Sequence, residues 1–211
     1  MLDKTILDQT IQALRANRMD AVYVPAKEDL IPVVDTHLAE NDRVSFGGSV
    51  TLFESGVMDH LKELSSKNVI TLLDRNKPGL TPEDVAKLYR ESFFCDAYFT
   101  STNAVTQDGY LYNVDGNANR VAAMLFGPQK VIVVAGIQKI VPDRQAAARR
   151  VEEIAAPKNA QRLHCATPCT VTGRCQHCRS EARICCDTVI MGWQRVPNRV
   201  RVILVGEELG Y

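Results

Sequence analysis

The sequence lacks long apolar segments, net charge and any targeting pattern. None of its apolar runs approaches the roughly 20 residues that a transmembrane helix needs. Its start, Met1 to Thr5, lacks the basic-then-apolar layout of a secretory signal peptide. Lysine plus arginine and aspartate plus glutamate both number 25, so no excess charge attracts nucleic acid or anionic lipid. These absences predict a cytoplasmic protein with no membrane or nucleic-acid partner.

Cysteine is also scarce outside one short segment. Of the seven cysteines, only Cys95 lies outside residues 165–186. Thiols stay reduced in the cytoplasm, and a chain of 211 residues buries enough apolar surface to fold without disulfides. The six clustered cysteines therefore predict a metal site rather than a set of disulfides. Cys95, which precedes a predicted strand, is expected to be a small buried residue.

Predicted strands alternate with predicted helices along the chain. Asp108-Gly109 is typical of a hairpin turn, and a helix that opens at Pro142-Asp143 is expected to end at Pro157. The alternation predicts one α/β domain over residues 1–211, with a mostly parallel sheet and helices on both faces. Residues 165–186 are predicted to form a cysteine-rich metal-binding insertion near the last strands.

Four cysteines of that segment have the spacing of a metal site. Cys169, Cys175, Cys178 and Cys185 form a C-x5-C-x2-C-x6-C pattern. A C-x2-C pair presents two sulfurs from one tight turn, and the flanking cysteines complete a set of four thiolates. A single such pair is more typical of a four-iron, four-sulfur cluster than of zinc, which more often uses two. The prediction is a 4Fe-4S cluster, with zinc as the alternative and idle reduced thiols as the plainest interpretation.

Several neighbours bear on that site. Cys165 and Cys186 are predicted to be spare thiols. His177 is either a solvated loop residue or a hydrogen-bond donor to a cluster sulfur. Arginines within the loop would offset the negative charge of a thiolate-bound cluster; they are Arg174, Arg179 and Arg183.

A glycine motif marks a second candidate site. Gly47, Gly48 and Ser49 follow a predicted strand and, with Thr51, open a predicted helix. In open α/β sheets ligands bind at the carboxyl ends of strands, where backbone N–H groups favour anions. A plain tight turn explains the motif equally well. Glu54, one helical turn further, is a candidate catalytic residue or simply a solvated helix residue.

A second polar cluster follows two later strands. We interpret it as a functional cleft, because an arginine and several short polar side chains precede one helix. The candidate substrate-binding residues there are Asn103, Thr106, Asn113, Asp115, Asn119 and Arg120. Lys139, after the most apolar strand, is a further candidate contact for an anion or else an exposed loop lysine. The plainer interpretation is turn and capping chemistry, with Arg120 paired to Asp115.

Taken together, these segments resemble the LUD-domain family, the lactate-utilisation proteins formerly described as a domain of unknown function. The resemblance covers nearly the whole chain from about residue 19 and points to the branch with a carboxyl-terminal four-cysteine motif. It is carried by Phe46–Gly56 (FGGSVTLFESG), Leu73–Gly79 (LDRNKPG), Thr100–Thr106 (TSTNAVT), Asp115–Pro128 (DGNANRVAAMLFGP), Val131–Val141 (VIVVAGIQKIV), Ala155–Pro157, Thr167–Cys169, Gly173–Cys175, Cys178, Ile184-Cys185 and Val205–Gly210 (VGEELG).

The resemblance implies a fold similar to that of sugar-phosphate isomerases and CoA transferases. It also implies a part in an iron–sulfur system that oxidises lactate to pyruvate. The expected function is therefore that of a redox-linked enzyme or enzyme subunit acting on a small anionic 2-hydroxy acid, with an external redox partner protein; a homo-oligomer is compatible with the sequence. Two alternatives remain: a non-redox ligand-binding or regulatory protein with structural zinc, and a transferase or isomerase using Glu54.

Overall fold

The computed structural model describes residues 3–211. Met1 and Leu2, which belong to the predicted domain and to the amino-terminal pattern, lie outside the described residues. The α-helices are α1 Lys4–Ala16, α2 Leu30–Asp35, α3 Val50–Glu54, α4 Val57–Ser66, α5 Pro82–Glu91, α6 Asn119–Leu125, α7 Arg144–Arg150, α8 Ala156–Arg162 and α9 Pro168–Thr172. The strands are β1 Asp20–Val24, β2 Arg43–Phe46, β3 Thr71–Leu72, β4 Ala97–Thr100, β5 Ala104–Thr106, β6 Leu111–Asp115, β7 Lys130–Gly136, β8 Ile140–Val141, β9 Asp187–Met191 and β10 Val200–Val205.

The main sheet has six parallel strands in the order β1-β10-β7-β4-β2-β3. Its central strands are nearly continuous apolar runs, as expected when both faces of a parallel sheet are covered. In β7, residues 131–136 are all buried. The predicted α/β fold class with a mostly parallel sheet is confirmed.

Two apolar cores lie on opposite faces of this sheet. One contains Leu30 of α2 and Leu61 of α4 together with Ile132 of β7. The other contains Leu14 of α1 and Met124 of α6, packed with residues of β7 and β10. Helices therefore cover both faces, and the loops at the carboxyl ends of the strands emerge along one edge.

A second sheet of four strands, in the order β8-β5-β6-β9, continues from that edge. β5 follows β4 and β8 follows β7 after three residues each, and β5 pairs with β8 in parallel. The predicted hairpin at Asp108-Gly109 joins β5 to its antiparallel partner β6. Gly109 has φ +85°, and a Cβ there would lie 2.6 Å from the Ala13 carbonyl oxygen, so glycine is required.

The prediction that a helix ends at Pro157 is wrong. α7 continues into a π-helical turn, Val151–Ala155, and then into α8, which extends to Arg162. Pro157 lies just after the π-helical turn, and the Glu152 carbonyl of that turn accepts the Cys175 N–H at 2.9 Å. No helix of residues 3–211 combines the length and the apolar character that crossing a bilayer requires.

Candidate functional site

Three loops meet at the carboxyl edge of the main sheet. They follow β2, β4 and β7; Thr51 lies in α3 directly after the first loop, and Ser101 and Lys139 lie in the second and third. The Lys139 ammonium joins them: its Nζ lies 2.8 Å from Thr51 Oγ1 and 3.0 Å from Ser101 Oγ. Residues that lie far apart in the sequence are thus brought together at the position predicted for a ligand.

These loops enclose a pocket of about 80 Å³, which we call the inner pocket. Its lining includes Gly48–Thr51, Ser101–Asn103 and Lys139, and on the other side Asn159, Arg162 and Tyr211. Within residues 3–211 no hydrogen bond is donated by the backbone N–H of Gly48 or Ser49. The predicted glycine loop therefore offers unused donors next to the pocket. Gly47 instead donates its N–H to the Phe99 carbonyl at 2.9 Å.

Lys139 is the most unusual ionisable group of the inner pocket. Only 2% of its surface is exposed, and in the described part of the chain no carboxylate lies within ion-pair distance of its Nζ. Burial, reinforced by the positive charges of Arg150 and Arg120, lowers the pKa of Lys139 from 10.5 to about 7. The charge of Glu54 acts in the opposite direction. The amine therefore changes charge near neutral pH.

The lowered pKa of Lys139 predicts a pH-dependent stability. Between about pH 7 and 10.5 the unfolded chain holds one proton more than the folded chain, so the free energy of unfolding rises with pH. Compared with Lys139→Met, which removes the amine at similar volume, the wild type should show an extra slope of about 1.4 kcal/mol per pH unit. Urea unfolding of both proteins across this range measures it. Parallel curves would mean that the Lys139 pKa is not lowered.

A larger cleft of about 680 Å³, the outer cleft, shares Gly48, Ser49, Arg120 and Arg162 with the inner pocket. It is positively charged. In residues 3–211 its Lys62, Arg75 and Arg162 form no ion pair with a carboxylate. Such a lining favours an anionic ligand.

Arg75 is held at the wall of the outer cleft by aromatic groups. Its Nη1 donates to the Tyr89 hydroxyl at 2.9 Å, and the guanidinium lies over the rings of Tyr89 and Phe46. Gly48 allows this approach, because a Cβ there would lie 2.5 Å from Arg75 Nη2. The buried Nε of Arg75 has no hydrogen-bond partner within residues 3–211. The guanidinium is thus held in place but retains an unpaired hydrogen-bond donor.

The Arg120 guanidinium forms its hydrogen bonds and its ion pair with other residues of the protein. Its Nε forms an ion pair with Asp115 at 3.3 Å, and its Nη1 donates to Asn113 Oδ1 at 2.8 Å. It also donates to the carbonyls of Val114 and Ser101 at 2.9 and 3.1 Å, and to Asn103 Oδ1 at 3.4 Å. Four of the predicted binding residues therefore form one network that fixes the loop after β4 against β6.

The remaining predicted residues have separate positions. Asn119 lines the outer cleft. The Glu54 carboxylate accepts a hydrogen bond from the Gly210 N–H at 2.6 Å and holds the carboxyl-terminal segment. Thr106 is buried in the β5–β6 hairpin, where its Oγ1 accepts from the Tyr110 N–H at 2.9 Å. The structure places Glu54 and Thr106 in contacts within the protein.

Several cleft residues were not selected from the sequence. Arg75 lies within Leu73–Gly79, one of the stretches that resemble the family, and this motif was the sequence feature that could have identified it. Arg162 and Asn159 come from α8, beyond the point where the helix was expected to end. Arg162 Nε donates to the Tyr211 hydroxyl at 2.6 Å, so the last residue also reaches the site.

The predicted metal cysteines surround a third cavity, of about 160 Å³, which we call the cysteine cavity. It is lined by Cys169, Cys175, Cys178 and Cys185. The other cysteines do not line it: Cys165 and Cys186 lie outside, and Cys95 is buried elsewhere, where burial raises the pKa of its thiol to about 11. All seven cysteines are free thiols. Spacing thus selected the four thiols that the fold brings to one cavity.

Local structure explains how the cysteine segment reaches this position. Pro168 begins α9, and Gly173 ends it in a left-handed conformation with φ +72°. The Cys175 N–H donates to the Glu152 carbonyl in the π-helical turn at 2.9 Å, and the Cys186 N–H donates to the Asp115 carbonyl of β6 at 2.9 Å. The segment is therefore attached to both the helical layer and the second sheet.

Hydrogen-bonding groups surround the sulfurs of the cysteine cavity. The His177 N–H donates to Cys175 Sγ at 3.3 Å, and Arg183 Nη2 donates to Cys185 Sγ at 3.5 Å. The Thr167 hydroxyl lies 3.2 Å from Cys169 Sγ. The buried Nε of Arg183, which also lines the cavity, has no partner in the described chain. Arg174 and Arg179 are exposed and do not line it.

The cysteine cavity and the outer cleft share a wall. Val114 of β6 and Ile184 of the cysteine segment line both. Gly116 permits this packing, because a Cβ on Gly116 would lie only 3.3 Å from the Ile184 Cα. A group bound by the four thiols would thus lie next to a ligand in the cleft.

These features define an open parallel α/β protein with a thiol-lined cavity beside a cationic cleft. The chain belongs to the LUD domain family, whose model matches residues 7–205. The resemblance inferred from the sequence motifs is thereby confirmed.

Comparison with solved structures supports the fold. The crystal structure of a DUF162 family protein from Deinococcus radiodurans matches with a TM-score of 0.55 and 16% identity, over 98% of this chain and all of that one (100%). eIF2B beta from Chaetomium thermophilum reaches a TM-score of 0.41 and 14% identity, over 57% of this chain and 44% of that chain, which is too low to support any argument. Among curated proteins, none matches this chain.

Proposed function

We propose that this LUD-domain protein takes part in oxidising a small anionic 2-hydroxy acid such as lactate, and that its four clustered cysteines hold a 4Fe-4S cluster. The observation that carries the proposal is the wall shared by the cysteine cavity and the cationic cleft. A redox centre and its substrate have to lie close together, and Val114 and Ile184 contact both spaces.

The residues of the cysteine cavity fit such a cluster. Four thiols line a space of about 160 Å³, and four thiolates are the number of ligands that a 4Fe-4S cluster needs. The donors from His177, Arg183 and Thr167 are of the kind that stabilise cluster sulfurs.

The cleft supports the anionic character of the substrate. Arg75 and Arg162 carry guanidinium groups without carboxylate partners among residues 3–211, and the Gly48 and Ser49 N–H groups are free to donate. Both types of donor suit a carboxylate. The inner pocket, at about 80 Å³, limits the part of the ligand that reaches Lys139 to a small group.

The chemistry assigns separate tasks to the chain and to its partners. The cationic cleft residues bind and orient the carboxylate. When bound, a 4Fe-4S cluster supplies one-electron transfer. Oxidation of a 2-hydroxy acid to a 2-oxo acid releases two protons and two electrons, and an external redox protein has to accept those electrons.

Anaerobic purification followed by metal analysis and absorption spectroscopy tests this function. We expect a brown protein that contains iron and sulfide and absorbs light at about 400 nm, and this absorption should be bleached by dithionite. Lactate should bleach it as well, or reduce an added dye in its presence, whereas acetate, which lacks the hydroxyl group, should not.

Other outcomes would point elsewhere. A colourless zinc protein would contradict the redox function and favour the ligand-binding or regulatory alternative with structural zinc. If the protein holds an iron–sulfur cluster but reduces no acceptor with any of several 2-hydroxy acids, the cluster assignment stands and the proposed substrate class is wrong.

A further inference from the structure

Lys139 has features that anion binding alone does not require. It follows β7, a central strand of the main sheet, and its side chain ends in the inner pocket. A lysine shifts its pKa readily when it is buried, and buried lysines therefore serve as bases and as imine-forming nucleophiles. Lys139 is buried, and within residues 3–211 its Nζ forms hydrogen bonds only with the hydroxyl groups of Thr51 and Ser101.

The charges around Lys139 favour its neutral form. Arg150 of α7 and Arg120 of α6 oppose protonation, and Glu54 of α3 is the acidic group that favours it. The Glu54 carboxylate already accepts a hydrogen bond from the Gly210 N–H. Tyr211 and Arg162, which also line the inner pocket, bring no negative side chain near neutral pH. With its pKa lowered to about 7, the amine is half neutral at physiological pH, and a neutral amine is a nucleophile.

We propose that the Lys139 amine condenses reversibly with the carbonyl carbon of a small 2-oxo acid to form an imine. The amine nitrogen adds to the carbonyl carbon, whose oxygen takes up a proton. The oxygen takes up a second proton and leaves as water as the carbon–nitrogen double bond forms; the amine nitrogen gives up both of its protons overall, so no oxidant or reductant is required. The choice of ligand rests on the proposed function, in which a 2-oxo acid is the product.

The inner pocket has the size and lining for this ligand. A bound water needs roughly 10–15 Å³ of such a volume, so about 80 Å³ holds only a few non-hydrogen atoms, the range of glyoxylate and pyruvate. Arg162 is available for the carboxylate, because it donates only to Asn159 and Tyr211 within residues 3–211. A carbonyl near Lys139 and a carboxylate near Arg162 fit one small molecule.

Reductive trapping tests the imine. The folded protein is incubated near pH 7 with pyruvate or glyoxylate and sodium cyanoborohydride, which reduces an imine to a stable secondary amine. We expect one adduct per chain, with the mass of the acid less one oxygen atom, and peptide mapping should locate it at Lys139. Labelling of Lys139 should be about tenfold or more faster than that of the exposed Lys4, because burial lowers the pKa of Lys139 to about 7 and the neutral amine is the nucleophile.

Two matched variants complete the test. Lys139→Met should lose the adduct, and Lys4→Met, which changes an exposed lysine of α1 that lines none of the three cavities, should retain it. Equal labelling of Lys139 and Lys4 in the wild type, or labelling of other lysines alone with both acids, would overturn the proposal, and neither result depends on how a variant folds.

The trapping reaction needs no metal centre, so its failure is distinguishable from failure of the proposed function. A zinc protein that labels at Lys139 would overturn only the redox function. An iron–sulfur protein that oxidises lactate without any adduct at Lys139 would overturn only the imine.

Discussion

Replacing Cys175 by serine is expected to abolish binding of the metal centre. Cys175 and Cys178 form the C-x2-C turn, and both thiols line the cysteine cavity. Serine is nearly the same size but does not supply a thiolate, which an iron–sulfur cluster requires from each ligand. The metal content per chain, measured after anaerobic purification, should fall to near zero, with loss of the absorption of the cluster.

Two other cysteines provide matched controls for this variant. Cys95→Ser changes a thiol buried away from the cavity, and Cys186→Ser changes an exposed thiol next to the predicted ligand Cys185. Both should retain the metal content of the wild type. Full metal content in Cys175→Ser, or its loss in Cys186→Ser, would show that a different set of thiols binds the metal.

Removing the side chain of Arg120 should strongly destabilise the fold. In Arg120→Ala the largely buried Asp115 loses its cation, while Asn113 and the carbonyls of Val114 and Ser101 lose a donor. Breaking a buried ion pair by removing one partner costs about 3–5 kcal/mol, because the remaining charge is left uncompensated. Urea unfolding should therefore show a decrease of that size in the free energy of unfolding.

Arg162→Ala is the control, because Arg162 lies in the same cleft but is exposed. Its loss should change the free energy of unfolding by only about 0.5 kcal/mol and should weaken the binding of a carboxylate. If Arg120→Ala instead unfolds like the wild type and binds lactate or acetate more weakly, the Arg120 guanidinium is a ligand contact and not a structural support.

Local patterns in the sequence were sufficient for the main sheet and for the four thiols. Apolar runs such as residues 131–135 predict buried parallel strands. A strand that is buried on both faces carries apolar residues on both sides, so apolar and polar residues do not alternate along it. The C-x2-C turn and its flanking cysteines identify Cys169, Cys175, Cys178 and Cys185 because thiolate ligands have to lie within a short reach of one another. Both signals are contained in a few consecutive residues.

The roles of Arg120 and Lys139 depended on contacts between distant segments. From the sequence, Arg120 could face either a ligand or Asp115, and only the packing of the loop after β4 against β6 shows that its donors are used within the protein. Lys139 could equally have been an exposed loop lysine. Its burial arises because segments that carry Thr51 and Ser101, 88 and 38 residues away, pack against its side chain and hydrogen-bond its amine.

The sequence by itself determined the parallel α/β fold class, the family and the four thiols that line one cavity, because apolar periodicity, motif composition and ligand spacing are local properties. Only the tertiary structure decided that this cavity shares Val114 and Ile184 with a cationic cleft, and that a lysine without a carboxylate partner in residues 3–211 lies in the inner pocket. The second sheet and the π-helical turn before α8 create these arrangements. Both depend on long-range pairing and packing, whose free energies appear only when separate segments of the chain meet.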